Sequence, residues 1–208
     1  YNTGDGIRMG LEVGADLALS EACVMLDTLY FGGVGEGRGN KDENIYKSTP
    51  VKGAIIVNPR GNRFVQEDAD WGYISTMQYF ENAKMGGGPD CKIWCIVDSN
   101  QTDYMERVVQ WMIEQDTESR FVKVADTLDE LADKLGFTGE AKEAFLAEAD
   151  KYNGFYDAQK DSDFGKEAYR LSELRTAPFY GIWYGGSILT TVDGLRINAD
   201  MQVLDAEG

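Results

Sequence analysis

The chain has 208 residues, of which 36 are acidic and 20 basic, so its formal net charge is −16, and it contains no histidine. With 43% hydrophobic and 27% charged residues, its composition is typical of a folded protein that buries a core. The negative charge argues against binding to nucleic acid, since such binding depends on lysine and arginine. The absence of histidine excludes Ser-His-Asp catalysis and histidine zinc ligands within this chain. No apolar run is long enough to span a bilayer, so we expect no membrane insertion.

The first forty residues predict a helix, then one or two strands, then a loop. The helix covers residues 5–16 on the basis of its apolar spacing, and the apolar stretch 17–31 can hold the strands. The glycine-rich stretch 32–40 is typical of a loop. It is the clearest internal boundary in the chain.

The segment that precedes the first helix is a candidate cofactor site. Gly4, Asp5 and Gly6 combine small residues, free backbone N–H groups and one carboxylate. Such a segment can hold a polar cofactor group close to the main chain. A simple helix cap explains the same residues equally well, and composition does not decide between the two.

The middle of the chain predicts alternating strands and helices. A buried strand is followed by a turn and a returning arm, which together predict a hairpin. A helix that ends at a glycine cluster comes next, and then a strand, a helix and a strand. The predicted ranges are 53–58, 59–62 and 63–65 for the hairpin, 69–84 for the first helix, and 92–97, 103–115 and 121–124 for the rest.

The last part of the chain predicts two helices and a group of strands. Thr127 and Glu130 form a capping box, Gly136 ends that helix, and Thr138 caps the next one. The strands are expected at 179–184, 188–192, 195–197 and 202–204, with a hairpin turn at residues 193–194. The mixture predicts an α+β fold with a small mixed sheet flanked by helices.

Two motifs that suggest a ligand do not match the patterns they resemble. The glycines at 33–37 lack the third glycine of G-x-G-x-x-G and are not followed by a helix. Asp157, Asp161 and Asp163 suggest a calcium loop, but the glycine is misplaced and the final glutamate is missing. We therefore expect loops at both places and no metal site.

Taken in order, several segments resemble the flavoprotein subunits of fumarate reductases and succinate dehydrogenases. The likeness is to the soluble branch that includes flavocytochrome c, urocanate reductase and 3-ketosteroid dehydrogenase-like enzymes, all known from bacteria. Each motif is weak alone, but their succession along nearly the whole chain is specific. The matching segments are 3–9, 12–15, 53–58, 61–67, 125–132, 152–153, 161–165, 178–180 and 202–205.

The resemblance implies a position within a larger enzyme. In that family an FAD-binding domain is interrupted by a capping domain that closes over the flavin and the substrate. It implies that residues 1–31 are a stub of the FAD-binding domain, 32–186 the capping domain, and 187–208 a hairpin that returns to the FAD-binding domain. By the same resemblance, Asp5 contacts FAD. We do not expect this chain to bind FAD with full affinity by itself, because the rest of the FAD-binding domain is a missing partner.

Three departures from fumarate reductases bear on the substrate. Where those enzymes carry a histidine, an arginine proton donor and a second histidine, this chain has Leu26 or a neighbour, Trp71 and Leu189. An arginine holds a carboxylate through a bidentate fork, which a tryptophan cannot replace. Fumarate reduction is therefore not expected. Trp71 and the nearby Tyr73 instead suit a larger or aromatic substrate.

These points lead to one main hypothesis and one alternative. The main hypothesis is a fragment of an oxidoreductase that transfers hydride between flavin and an activated C=C bond. Its candidate catalytic residues are Trp71, Tyr73, Tyr180 and Tyr184, and its candidate substrate-binding residues are Leu189, Thr190 and Thr191. Core packing is the competing explanation for each of them. The alternative is a non-catalytic module that binds a small molecule or a partner protein. The sequence does not indicate the compartment.

Overall fold

The computed structural model describes residues 3–19, 23–29, 54–69, 71–87, 91–100, 113 and 121–208. Its helices are α1 (Asp5–Glu12), α2 (Trp71–Lys84), α3 (Leu128–Leu135) and α4 (Glu140–Ala158), with a 3₁₀ turn at Ala168–Arg170. Its strands are β1 (Leu17–Ala18), β2 (Cys23–Leu29), β3 (Ile55–Val57), β4 (Ile93–Asp98), β5 (Val122–Ala125), β6 (Phe179–Thr191) and β7 (Gly194–Leu195). Of the helix expected at 103–115, only Ile113 lies within the described residues, and it is helical.

The chain divides into two compact units. The terminal unit comprises Tyr1–Met25 and Ile188–Gly208, and the central unit comprises Leu26–Ser187. A five-stranded sheet has the order β2-β6-β4-β3, with β5 also paired to β6. The pairings of β3 with β4, β4 with β6 and β5 with β6 are all antiparallel. The α+β class is thus confirmed, but these pairings are antiparallel where a mixed sheet was expected.

Both faces of this sheet are covered in the central unit. Side chains alternate along β4, because successive residues of a strand point to opposite faces. Ile93, Cys95 and Val97 belong to a core cluster that includes Ile74 of α2. Trp94 and Ile96 belong to a second cluster, which includes the fully buried Leu131 of α3 and Phe145 of α4. The sheet therefore lies between α2 on one face and α3 with α4 on the other.

Local sequence explains how α3 begins and ends. The Thr127 side chain accepts a hydrogen bond from the Glu130 N–H at 3.1 Å, and Gly136 adopts a left-handed conformation at the other end. Both predictions are confirmed. The cap expected at Thr138 is wrong, because Gly139 is the N-cap of α4 and no side chain caps it. A glycine with φ of 51° lets the chain turn sharply there without a hydroxyl cap.

The hairpin expected at 53–65 is reduced to one bridge, between Val57 and Arg63. Its turn is held by Asn58, whose Oδ1 accepts from the N–H groups of Arg60 and Asn62. Gly61, with φ of 80°, lies against the backbone of α4, since a Cβ there would lie 2.7 Å from the Phe145 nitrogen. The tight turn thus packs directly against α4.

In the terminal unit, β1 and β7 pair antiparallel, with Leu17 opposite Leu195. This pairing contradicts the turn expected at residues 193–194, because Gly194 is itself a strand residue opposite Ala18. β6 also runs unbroken across the gap expected between two shorter strands. The turn lies later, where Asn198 Oδ1 accepts from the N–H groups of Asp200 and Gln202. An asparagine side chain that bonds the following backbone is a strong turn former.

Helix α1 is shorter than the predicted range 5–16. It ends at Glu12, and Gly14 lies beyond it with φ of 94°, outside the helical range. At Gly10, an added Cβ would lie 2.5 Å from Leu195 Cδ1. The absence of a side chain at Gly10 therefore lets β7 pack directly on the helix.

Candidate functional site

The candidate aromatic residues of the central unit occupy different environments. Trp71 begins α2, and Tyr73 in its first turn is 53% exposed. Tyr180 on β6 is partly buried, and this burial raises the pKa of its hydroxyl group. Tyr184 is 1% exposed within the core cluster that also includes Ile74. The burial of Tyr184 agrees with a role in core packing, whereas Tyr73 and Tyr180 keep solvent-accessible surface.

The outer surface of α2 is aromatic and carries no charge over its first ten residues. Tyr73, Tyr79 and Phe80 are each more than half exposed, and the rings of Tyr79 and Phe80 meet edge to face at 5.9 Å. The first charged residue of α2 is Glu81. Exposed aromatic side chains in such numbers are typical of surfaces that meet a ligand or another protein surface.

Leu189, Thr190 and Thr191 form the last three residues of β6. They belong to the terminal unit by its bounds, whereas Tyr180 and Tyr184 of the same strand belong to the central unit. For Trp71 and for these three residues, the structure describes the backbone alone. Their roles as substrate contacts stay predictions.

A cluster of buried charges lies in the central unit and was not among the candidate site residues. The Arg63 guanidinium donates to both carboxylate oxygens of Glu67, at 2.7 and 2.8 Å, and to Asp161 at 3.0 Å. Lys166 Nζ donates to the backbone oxygen of Ala54 at 2.8 Å and to the Tyr152 hydroxyl at 3.2 Å, and lies 3.4 Å from Glu67 Oε2. The four ionisable side chains are at most 5% exposed, and their formal charges cancel.

The charges in this cluster hold one another in the ionised state. Although burial opposes ionisation, Lys166 and Arg63 keep the pKa of Glu67 below its ordinary value, and Arg63 does the same for Asp161. Burial lowers the pKa of Lys166, but Glu67 and Tyr152 together outweigh burial and raise the pKa overall. Burial also raises the pKa of the Tyr152 hydroxyl. The cluster is thus a neutral set of fixed charges.

The sequence carried a signal for this cluster. Arg63 and Glu67 lie four residues apart within the matching segment 61–67, and Asp161 lies within the matching segment 161–165. What the sequence did not show is that these two segments meet. Only the folded chain brings residues nearly one hundred positions apart into contact.

The three aspartates weighed as a calcium loop have basic partners instead. Asp157 pairs with Arg175 at 2.6 Å, Asp161 with Arg63, and Asp163 with Lys151 at 2.7 Å. Among the residues that the structure describes, no group of three or more Cys, Asp or Glu side chains could hold a metal ion. In the same part of the chain, no helix is both long and apolar enough to cross a membrane.

Comparison with known protein families shows which family the chain belongs to. The sequence model described as "FAD binding domain" matches residues 1–208. The chain belongs to the FAD binding domain family. The resemblance inferred from the sequence is thus confirmed.

Curated members of this family are similar to the chain along nearly its whole length. Digoxin reductase of Eggerthella lenta is 32% identical, with 100% of this chain and 37% of the reductase covered. NADH:acrylate oxidoreductase of Vibrio harveyi is 29% identical over 99% of this chain and 18% of its own length. A 3-oxosteroid 1-dehydrogenase of Mycolicibacterium smegmatis is 29% identical over 98% and 39%. The chain thus spans well under half the length of these relatives.

Solved structures of the family share the fold. The 3-ketosteroid Δ1-dehydrogenase of Sterolibacterium denitrificans matches with a TM-score of 0.72 at 19% identity, over 100% of this chain and 39% of that one. A solution structure of a fumarate reductase flavoprotein subunit from Lactobacillus plantarum matches with a TM-score of 0.52 at 19% identity. That match covers 76% of this chain and 97% of the solved one.

The start of α1 has features that suit the cofactor of this FAD-binding family. Gly4 is the N-cap with φ of 75°, and no side chain caps the helix. A Cβ added at Gly4 or Gly6 would have no atom within 4 Å, so the space beside the main chain is open. The exposed Asp5 carboxylate accepts a 2.6 Å hydrogen bond from the Thr3 hydroxyl. Free N–H groups and a carboxylate can bond the oxygens and hydroxyls of a polar cofactor.

Proposed function

We propose that this chain is part of a flavin-dependent oxidoreductase that transfers hydride between FAD and an activated carbon–carbon double bond. The observation that carries the proposal is the match of the FAD binding domain family over residues 1–208. The names of its relatives describe a reductase of digoxin, an oxidoreductase of acrylate and a dehydrogenase of 3-oxosteroids. Each of those compounds carries a carbonyl group, which can activate a neighbouring C=C bond. Bound FAD would supply the hydride chemistry.

The terminal unit would contribute to the cofactor site. Gly4 and Gly6 let a polar cofactor group come close to the main chain, and the Asp5 carboxylate accepts a hydrogen bond from a cofactor hydroxyl. None of residues 3–19 and 192–208 of this unit is buried, and Met9, Val13 and Leu19 are 63%, 85% and 70% exposed. Apolar surface of this extent favours a covering partner. We propose that the rest of the FAD-binding domain of the same polypeptide is that partner.

The central unit would act as the capping domain that closes over the substrate. It would exclude water from the reacting atoms and present α2 as one wall of the substrate site. Trp71 and Tyr73 would contact the substrate with flat aromatic surfaces. Tyr180, which is partly buried on β6, would donate a proton to the substrate carbon.

The same features favour a substrate that is not a dicarboxylate. The first ten residues of α2 carry no charge, and Leu189 stands where fumarate reductases carry a histidine. An uncharged aromatic wall gains little from binding a carboxylate, but it gains from burying apolar surface. We propose a neutral substrate with a substantial apolar surface.

A second function, binding without catalysis, is favoured by one observation. By the resemblance, Trp71 and Leu189 stand at positions where fumarate reductases carry an arginine proton donor and a histidine. A protein that kept the fold and lost the chemistry would bind a small molecule or a partner through the same surfaces. This alternative differs from the first in one measurable property, the reoxidation of a bound flavin by substrate.

The test uses the polypeptide that contains this chain with its flanking sequence. We expect it to purify yellow with a flavin absorption spectrum, and we expect reduced flavin to be reoxidised without oxygen by cyclohex-2-enone or progesterone but not by fumarate. Asp5→Asn should reduce the bound flavin, whereas the exposed control Asp200→Asn should not. Tyr180→Phe should slow reoxidation at least about tenfold, since a general acid contributes roughly 10²–10⁴-fold. A colourless protein contradicts the proposal, and a yellow one that no unsaturated compound reoxidises favours the alternative.

A further inference from the structure

Two segments of the central unit lie side by side and are joined by four polar contacts. The first segment, 63–69, leads into α2, and the second, 161–170, follows α4. Their partners occur in the same order along both segments, and we refer to the four contacts together as the clasp. The contacts are Arg63–Asp161 at 3.0 Å, Gln66–Gly165 at 3.2 Å, Glu67–Lys166 at 3.4 Å and Asp68–Arg170 at 3.1 Å.

The inner contacts of the clasp also hold it to the sheet. Glu67 Oε1 accepts from the Ile56 N–H of β3 at 3.3 Å, and Lys166 Nζ donates to the backbone oxygen of Ala54 at 2.8 Å. Lys166 additionally bonds the hydroxyl of the fully buried Tyr152 on α4. Lys166 is therefore the side chain through which segment 63–69, the start of β3 and α4 are joined.

The outer contacts are of a different kind. Gln66 and Arg170 keep solvent exposure, and the Arg170 side chain is 32% exposed. Its partner, the Asp68 side chain, is only 5% exposed, so one end of this ion pair is buried. The last contact, at Asp68, lies three residues before Trp71, a distance of at most about 10 Å along the chain. The outer contacts thus lie where segment 63–69 leads into α2, and they hold it to segment 161–170.

We propose that the clasp is a positioning device for the first turn of α2, with Lys166 as its central positioning residue. This inference rests on the proposed function, in which Trp71 and Tyr73 of that turn form a wall of the substrate site. Further along α2, Ile74 packs in the core and Glu81 accepts a hydrogen bond from Asn58. The clasp therefore acts at the start of the helix, next to core contacts that Phe64 and Val65 of the same segment make. A loop remote from the reacting atoms therefore sets how well the substrate is held.

The experiment compares two kinds of variant in the flavoprotein that contains this chain. Gln66→Ala combined with Arg170→Gln breaks two outer contacts, and Lys166→Met breaks the inner one. Lys166→Met leaves two buried carboxylates with one cation, which can prevent folding. The double variant Lys166→Met with Glu67→Gln restores charge balance and is used if the single variant does not fold. The control is Lys160→Met, a substitution of an exposed lysine just before the clasp.

The first readout is backbone hydrogen exchange, which needs no substrate. We expect faster exchange in residues 68–75 of the clasp variants and unchanged exchange in α3, with the control like the wild type. Exchange that rises equally throughout the central unit would mean that the cluster only stabilises the fold, and it would overturn the inference. Wild-type exchange at residues 68–75 in both kinds of variant would overturn it too.

The second readout is the kinetics of cyclohex-2-enone reduction. A displaced substrate wall weakens the binding of substrate and transition state alike, so we expect KM to rise at least about threefold with kcat changed less than about twofold. An unchanged KM in variants with locally faster exchange would overturn the positioning role. If the protein is colourless, or if no unsaturated compound reoxidises its flavin, the proposed function fails. The exchange data then still decide whether the clasp orders the start of α2.

Discussion

The two units of this chain differ in what they bury. In the central unit, apolar side chains fill both faces of the sheet, and Ile55, Leu131 and Phe145 are completely inaccessible to solvent. In the terminal unit, none of residues 3–19 and 192–208 is buried, and ion pairs there are exposed, as in Arg8–Asp5 with 71% and 62% exposed side chains. Burial of apolar surface is the main force that stabilises a fold. The central unit therefore carries its own stability, whereas the terminal unit depends on something else.

The largest effect expected from this difference is in folding of the isolated units. A polypeptide of residues 20–191, which keeps β2 and β6 whole, should fold and unfold cooperatively in urea. Residues 1–19 joined to 192–208 through a flexible linker should give a disordered circular dichroism spectrum. An unfolded 20–191 polypeptide would break the comparison.

A matched pair of leucine substitutions tests the same difference residue by residue. Leu131→Ala removes a fully buried side chain from the central unit and should lower the free energy of unfolding of this chain by about 2–5 kcal/mol. Leu19→Ala removes a side chain that is 70% exposed and should change it by less than about 0.5 kcal/mol. Urea denaturation followed by circular dichroism measures both.

The longer flavoprotein sharpens this test. If the rest of the FAD-binding domain covers the terminal unit, Leu19→Ala should become clearly destabilising there, by about 1 kcal/mol or more. Equal effects of Leu19→Ala in the two proteins would contradict the proposed partner.

Buried charge distinguishes the units in a second way, through pH. Lys166 and Arg63 hold the pKa of Glu67 below its ordinary value against the effect of burial. A carboxyl group with a lowered pKa in the folded state adds stability above its unfolded pKa, and that stability is lost as the pH falls. The free energy of unfolding should therefore decrease from about pH 5 to about pH 2.

The Glu67→Gln variant should be less stable than the wild type at neutral pH, because it leaves an uncompensated positive charge. Its free energy of unfolding should also depend less on pH in the acid range. Removing one titrating group reduces the slope by at most about 1.4 kcal/mol per pH unit. Glu130→Gln, which breaks an exposed pair with Lys134, should change the slope much less. Parallel pH profiles for the wild type and Glu67→Gln, measured by urea denaturation, would show that Glu67 does not titrate with unfolding.

The sequence was most informative where structure depends on neighbours along the chain. The Thr127 cap, the Gly136 stop and the strand expected at residues 92–97 follow from short patterns and are confirmed. The cap at Thr138 failed because Gly139 could start the helix without a hydroxyl. The hairpin at residues 193–194 failed because β1, more than 170 residues earlier, pairs with Gly194. The clasp was missed for the same reason, since contacts between distant segments leave no local pattern.

The smallest expected effect on stability concerns three threonines near helix starts, of which only Thr127 caps its helix through its side chain. Thr127 accepts a hydrogen bond from the Glu130 N–H, so Thr127→Ala should cost about 1 kcal/mol of unfolding free energy. Thr138 precedes a helix whose N-cap is Gly139, and the Thr3 hydroxyl donates to Asp5 instead of capping α1. Both Thr138→Ala and Thr3→Ala should therefore cost less than about 0.5 kcal/mol in urea denaturation. For Thr3, a neutral result would also fit a helix start whose N–H groups are free to bond a cofactor. A cost at Thr3 as large as that at Thr127 would instead mean that its hydroxyl stabilises the terminal unit.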